Sequence, residues 1–155
     1  MAEHETSILV HAPLDQVYNQ WTQFEEFPRF MEGVEEVRQL DDKRLFWRAK
    51  IGGVTKQWES EIVDQTPNRR IAWREVGEQK NAGAVLFEPY DDGTLVTLKL
   101  AYDPEGASEN IGDALGFVTR RVEGDLQRFK EFVEERQQAT GAWRGEIHGS
   151  TVRKG

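Results

Sequence analysis

From Val34 to Tyr102 the chain alternates apolar and polar residues and is cut at short intervals by turn-forming pairs. The cuts fall at Asp41-Asp42, Gly52-Gly53, Pro67-Asn68, Gly77 and Asp92-Gly93, which divides the stretch into six strands. Alternation of this kind belongs to an antiparallel sheet with one wet face and one buried face. The turns also fix which residues share a face. Two glycines at 52 and 53 suit a two-residue hairpin, because both central positions can take positive φ. Counting outward, Ile51 meets Val54 and Trp47 meets Trp58. A similar turn at Pro67-Asn68 sets Ile62 opposite Trp73. Since side chains alternate with period two, Trp47, Trp58 and Trp73 share the inward face with Ile51, Val54, Ser60, Ile62 and Ile71. Lys56 falls there too, at the end of the sheet. Arg48, Lys50, Gln57, Glu59, Glu61 and Arg74 take the wet face. At Asp92-Gly93 the same rule pairs Phe87 with Leu98 and Val85 with Leu100, apolar with apolar.

The flanks supply the covering layer. Glu5–His11 reads as a strand ended by Ala12-Pro13, and Pro13 suits a helix start because the first turn does not use its missing N–H. Leu14, Val17, Tyr18 and Trp21 then follow a helical period. Phe24–Met31 holds three Phe, one Met and Pro28, which breaks the first helix and starts a second short one. After the strands, Ile111, Leu115, Val118, Val122, Leu126, Phe129 and Val133 step by four or three along one long helix. The segment from Thr140, with Gly141, Gly145 and Gly149, shows little periodicity, so residues 140–155 read as a loose tail after a single domain over 1–139. The expected class is α+β: a curved seven-stranded antiparallel sheet wrapped around a long C-terminal helix, with two short helices after the first strand.

Composition narrows the chemistry. A chain of 155 residues with five Trp, eight Phe and three Tyr has enough apolar bulk for one real core. No cysteine is present, which removes disulfides, thiol nucleophiles and thiolate metal sites. Residues 1–36 carry eight carboxylates against the single Arg29, a balance that repels nucleic acid and anionic lipid. The N-terminus lacks a basic and apolar leader, no apolar run is long enough to span a bilayer, and a cytoplasmic location is expected. The histidines, His4, His11 and His148, have no pairing at ligand spacing, so neither a metal nor another cofactor is expected. Glu59 and Glu61 point outward beside Arg48 and Arg74, which suits charge pairs better than acid–base work.

A tryptophan-rich sheet face under one helix can form either a solid core or a cavity, and apolar concave surfaces favour ligands. On the cavity reading, Trp47, Trp58, Ser60, Trp73, Phe87, Leu98, Leu100, Tyr102, Ile111, Leu115 and Val118 contact the ligand. Phe27, Phe30, Met31, Gly112 and Gly116 form its entrance. Tyr102 and Glu75 are the candidate proton donors or acceptors should the site be catalytic.

The motifs His11–Tyr18 (HAPLDQVY), Trp21–Met31 (WTQFEEFPRFM), Ile71–Trp73, Asn81–Pro89 (NAGAVLFEP) and Val122–Lys130 (VEGDLQRFK) carry a resemblance. Over about residues 3–137 the chain resembles the helix-grip fold of the START-like (SRPBCC) superfamily. More closely, it resembles bacterial polyketide cyclase/dehydrase and coenzyme-Q-binding START-type proteins. The resemblance implies an elongated cavity between sheet and helix, opened by the loops and by the N-terminal end of the long helix. Three functions follow as expectations: binding or carriage of a quinone-, lipid- or polyketide-like molecule, cyclisation or dehydration of a polyketide, or docking of another protein on Phe24–Met31.

Overall fold

A computed structural model describes residues 2–51, 53–77, 81–102 and 111–154. The side chains of residues 2, 51, 102 and 111–119 lie outside the description. The elements run β1 (Ala2–Val10), α1 (Leu14–Trp21), a 3-10 helix (Phe24–Arg29), β2 (Val34–Gln39), β3 (Arg44–Ile51), β4 (Val54–Thr66), β5 (Arg70–Glu75), β6 (Ala82–Tyr90), β7 (Gly93–Tyr102), α2 (Ile111–Glu134), β8 (Glu146–His148) and β9 (Thr151–Arg153). Seven strands form one antiparallel path in the order β1-β7-β6-β5-β4-β3-β2. The α+β helix-grip architecture expected from the sequence is the one observed.

Hairpin chemistry explains the register. Ile51 pairs with Val54 and Trp47 with Trp58, as the glycine turn requires. Ile62 also meets Trp73, but by a different route: Thr66 pairs with Arg70, so three residues form that turn, with Asn68 at φ 64. A register shift between Ile62 and Asp64 then restores the pairing expected from a two-residue turn. At the last hairpin the expected partners are corrected. Tyr90 pairs with Gly93, so Phe87 meets Val96 and Val85 meets Leu98. Asp91, not a glycine, takes the positive φ of that turn. Gly93 is needed for closeness instead, since a Cβ there would sit 2.4 Å from the Val10 carbonyl oxygen of β1. The shift is two residues, an even number, so the face of every side chain is unchanged. Val54 shares the inward face yet is 58% exposed, because the hairpin tip runs beyond the core.

The inward face packs against α1 and the second half of α2. Val17, Tyr18 and Trp21 are buried from α1, and Val122, Leu126, Phe129 and Val133 from α2. Phe24, Phe27 and Phe30 are buried as well. That corrects the docking reading of Phe24–Met31, whose phenylalanines are spent inside this chain: Phe30 packs edge-on against Phe129 at 5.2 Å and Phe27 against Trp21 at 5.5 Å. On the outer face Glu61 lies between Arg44 and Arg74, and Arg48 reaches Glu35 and Glu36.

The expected loose tail is folded, and it makes the sheet nine-stranded. β3 pairs with β4 only as far as Glu61, which leaves the last part of β4 with an open edge. β8 fills it, pairing Gln65 with Ile147 and Asp64 with His148, and β9 closes a hairpin on β8. Unpaired strand edges are sticky, and a short segment of the same chain covers this one. Side chains lock the strap. Gln20 and Thr140 exchange two hydrogen bonds, and the Arg144 guanidinium donates to Asn19 and Asn68 while lying over the Tyr18 ring. Tyr18 itself accepts a hydrogen bond from the buried Gln65 amide, and burial raises its phenol pKa despite that bond.

Candidate ligand-binding cavity

Between the tryptophan face of the sheet and α2 lies a cavity of about 220 Å³. Strands β3, β4, β5 and β7 supply Leu45, Trp47, Trp58, Ser60, Ile62, Ile71, Trp73, Leu98 and Leu100. Trp21 closes it from α1, Phe24, Phe27 and Met31 from the segment that follows, and Val122, Asp125 and Leu126 from α2. Trp47 and Trp58 stack face to face, with ring centroids 5.8 Å apart and planes within 5°. This follows from their direct cross-strand pairing, which brings two indoles on one face within stacking range. Phe27 leans on Trp47 at 5.7 Å and links the stack to the helical side.

Among the described residues, two polar side chains other than indoles break this lining. Ser60 is buried, and its Oγ accepts a hydrogen bond from the Trp47 Nε1–H at 2.9 Å, leaving the hydroxyl proton available to donate. Asp125 is 15% exposed, and its Oδ1 accepts from the Glu32 backbone N–H at 3.0 Å and from the Arg128 guanidinium. Burial pushes the Asp125 carboxyl pKa up, while the bonds from Arg128 and Glu32 N–H pull against that. The same surroundings hold the cavity wall in place: Arg128 Nε donates to the Phe30 carbonyl at 2.8 Å, and Arg121 donates to the Glu32 carbonyl at 2.6 Å. The segment between the 3-10 helix and β2 is thus clamped to α2.

Of the residues singled out from the sequence, Trp47, Trp58, Ser60, Trp73, Leu98, Leu100, Phe27 and Met31 stand on the lining. Phe87 does not: it lies deeper along β6, edge-on to Tyr18 at 5.3 Å, and is core beneath α1. Phe30 is core too, held between Phe129 and Phe132 rather than at an entrance. Glu75 is not on the lining: it pairs with Ser60 at the end of β5, on the same sheet face, and borders a separate depression with Arg44, Glu61, Arg74 and Asn81. Its carboxylate accepts from Asn81 Nδ2 at 2.8 Å, and burial raises its pKa against the pull of Asn81 and Lys56. Tyr102, Ile111, Leu115 and Val118, together with Gly112 and Gly116, lie outside the described side chains.

Asp125 was not singled out from the sequence, and a signal for it exists. Val122, Asp125, Leu126 and Phe129 stand at i, i+3, i+4 and i+7, so the carboxylate sits on the apolar stripe of the long helix. Trp21, Phe24, Leu45, Val122 and Leu126 look like ordinary core residues in the sequence. Only their position around an unfilled space distinguishes them.

A long helix laid on an antiparallel sheet, with an aromatic cavity between, is a helix-grip fold. A START superfamily protein from Mycobacterium smegmatis has the same fold, with TM-score 0.71 at 14% identity over 86% of this chain and 97% of that one. The chain belongs to the family described as polyketide cyclase / dehydrase and lipid transport, whose model matches residues 10–131. That membership carries a ligand-binding or polyketide-cyclase role. An uncharacterised 17.2 kDa protein from Streptomyces lincolnensis is 48% identical, covering 95% of this chain and 99% of that one. The Zhui aromatase/cyclase from Streptomyces sp. R1128 shares the fold at 18% identity, with TM-score 0.73 over 91% and 98% of the two chains. Among the described residues no helix is long and apolar enough to cross a membrane.

Proposed function

We propose that this chain binds and carries a hydrophobic ring compound, of quinone-, lipid- or polyketide-like character, in the cavity between sheet and α2. The observation that carries this is the lining itself: among the described residues, four tryptophans and two phenylalanines around about 220 Å³, with one hydroxyl and one carboxyl to orient a ligand. An apolar cavity of about 150 Å³ already takes up benzene, so this space has room for a larger ring system. Aromatic faces stack on such rings, and a few polar groups set their direction. The family description, which includes lipid transport, supports the reading.

The test is saturable quenching of tryptophan fluorescence by 1,4-naphthoquinone. Trp73→Ala should weaken it by about tenfold, the worth of one stacked ring and its buried area. Glu61→Ala, on the outer face, should leave it unchanged. Equal losses from both variants, or no saturation in the wild type, would defeat the proposal.

A second reading, an enzyme of the cyclase or dehydratase type, is favoured by Asp125. A carboxyl group in an aromatic lining whose pKa is raised by burial suits a proton donor or acceptor. It outranks Glu75, which lies off the lining. Asp125→Asn lowering a measured cyclisation rate at saturating substrate by about a hundredfold or more would establish the enzyme. Turnover at background in the wild type would leave a binder.

A further inference from the structure

The described lining of the cavity carries one ionisable side chain, and Lys56, on the same sheet face, stands exposed beyond it near the hairpin tip. Among the described lining residues Asp125 is the one ionisable acid or base, and no Lys, Arg or His stands with it. The two nearby guanidinium groups are occupied elsewhere: Arg121 on the Glu32 carbonyl, Arg128 on the Phe30 carbonyl and on Asp125 itself. The segment next to the lining phenylalanines adds Glu25, Glu26 and Glu32, of which Glu26 is paired with Arg29 and Glu32 lies 3.8 Å from Arg128.

The consequence for a ligand is direct. An anion entering this space gives up water and finds a carboxyl group where it needs a positive partner, and burying an unpaired charge is costly. An uncharged ring with a hydroxyl group has no such difficulty. Its O–H donates to Asp125 when the carboxyl is ionised, and its oxygen accepts when the carboxyl is protonated. A ligand cation gains less than a bare carboxylate would offer, because Arg128 already neutralises Asp125 in part.

Resting on the reading above, we infer that the cavity selects uncharged hydroxyl-bearing ring compounds, with the hydroxyl placed at Asp125, and rejects carboxylates of the same size and shape. This separates the protein's ligands from fatty acids and other free acids, which the hydrophobic lining alone would admit.

The experiment is calorimetric titration of the full chain near neutral pH with 2-naphthol and with 2-naphthoate, which share one ring system and differ in charge. 2-Naphthol should bind, and 2-naphthoate should bind at least about tenfold more weakly. Equal or tighter binding of 2-naphthoate overturns the selectivity while leaving the cavity a binding site. Failure of both to bind overturns the selectivity and the binding reading together. The anchor is read separately in carbon-labelled wild type: the Asp125 side-chain carboxyl resonance should shift on adding 2-naphthol, and an unmoved resonance refutes it. In Asp125→Asn, confirmed folded by circular dichroism, the gap between the two ligands should narrow, and an unchanged gap would assign the selectivity to other groups.

Discussion

Replacing Ile147 by alanine tests whether the C-terminal strap is part of the fold or an appendage. Ile147 is 0% exposed, pairs across from Gln65 on β4 and from Val152 on β9, and belongs to the same apolar cluster as Tyr18 and Phe129. The substitution removes three carbon groups, a transfer loss of roughly 2.4 kcal/mol at about 0.8 kcal/mol each. The cavity left behind adds to this, which brings the total to about 2–5 kcal/mol. Against a typical domain stability of about 5–15 kcal/mol, that is a large fraction. For a chain of this length about 3 kcal/mol corresponds to a melting point lower by roughly 6–12 °C. Urea unfolding and thermal melting followed by far-ultraviolet circular dichroism measure both quantities, with Thr151→Ala, an exposed neighbour on β9, as the control. A loss below about 0.5 kcal/mol, the range of surface substitutions, would refute the argument and return the tail to a loose segment.

Gly83→Ala should press on the cavity from below, since its Cβ would stand 2.5 Å from Trp73 Cζ2 and 3.0 Å from Leu100 Cδ2. Overpacking of this kind costs about 1–3 kcal/mol, so urea unfolding should show destabilisation and calorimetry a weaker ligand; unchanged values would mean that Trp73 yields freely. His148 is held between Glu146 and Asp64, and the hydrogen bond to Glu146 followed by the influence of Asp64 raises its pKa. A raised histidine contributes stability below its unfolded pKa and loses it as pH rises through the folded one. The melting-point difference between wild type and His148→Ala should therefore be larger near pH 6 than near pH 8.5, and a difference independent of pH would contradict this. Asp125 acts in the same direction over a more acidic window: burial raises its carboxyl pKa, so the native state holds the proton longer than the unfolded chain does. Wild-type stability relative to Asp125→Asn should fall as pH rises from the ordinary aspartate range through the raised pKa, and a flat difference in urea titrations across that window would refute it.

The two hairpin corrections show why so much of the sheet was legible. At Asp91 the turn sits elsewhere than the glycine suggested, and at Pro67–Arg69 it holds one residue more, yet Val85, Leu98, Ile62 and Trp73 keep their faces. Alternation along a strand is a two-state property, and the buried face selects the state, so even displacements and compensated bulges leave it intact. Phe87 was misplaced because its face tells nothing of its depth along the strand.

The sequence by itself determined the element order, the tryptophan-bearing face and the apolar stripes of the helices, because these depend on periodicity within one segment. Tertiary structure alone decided three things. The strap forms because β3 stops pairing at Glu61 and leaves an edge of β4 for Ile147 and His148, and that edge exists only in the assembled sheet. Asp125 acquires its raised pKa from walls contributed by distant elements, since desolvation depends on what surrounds a group in space. The cavity itself is the volume left after sheet, helix and aromatic segment have packed, a difference between large filled volumes that no single stretch of chain encodes.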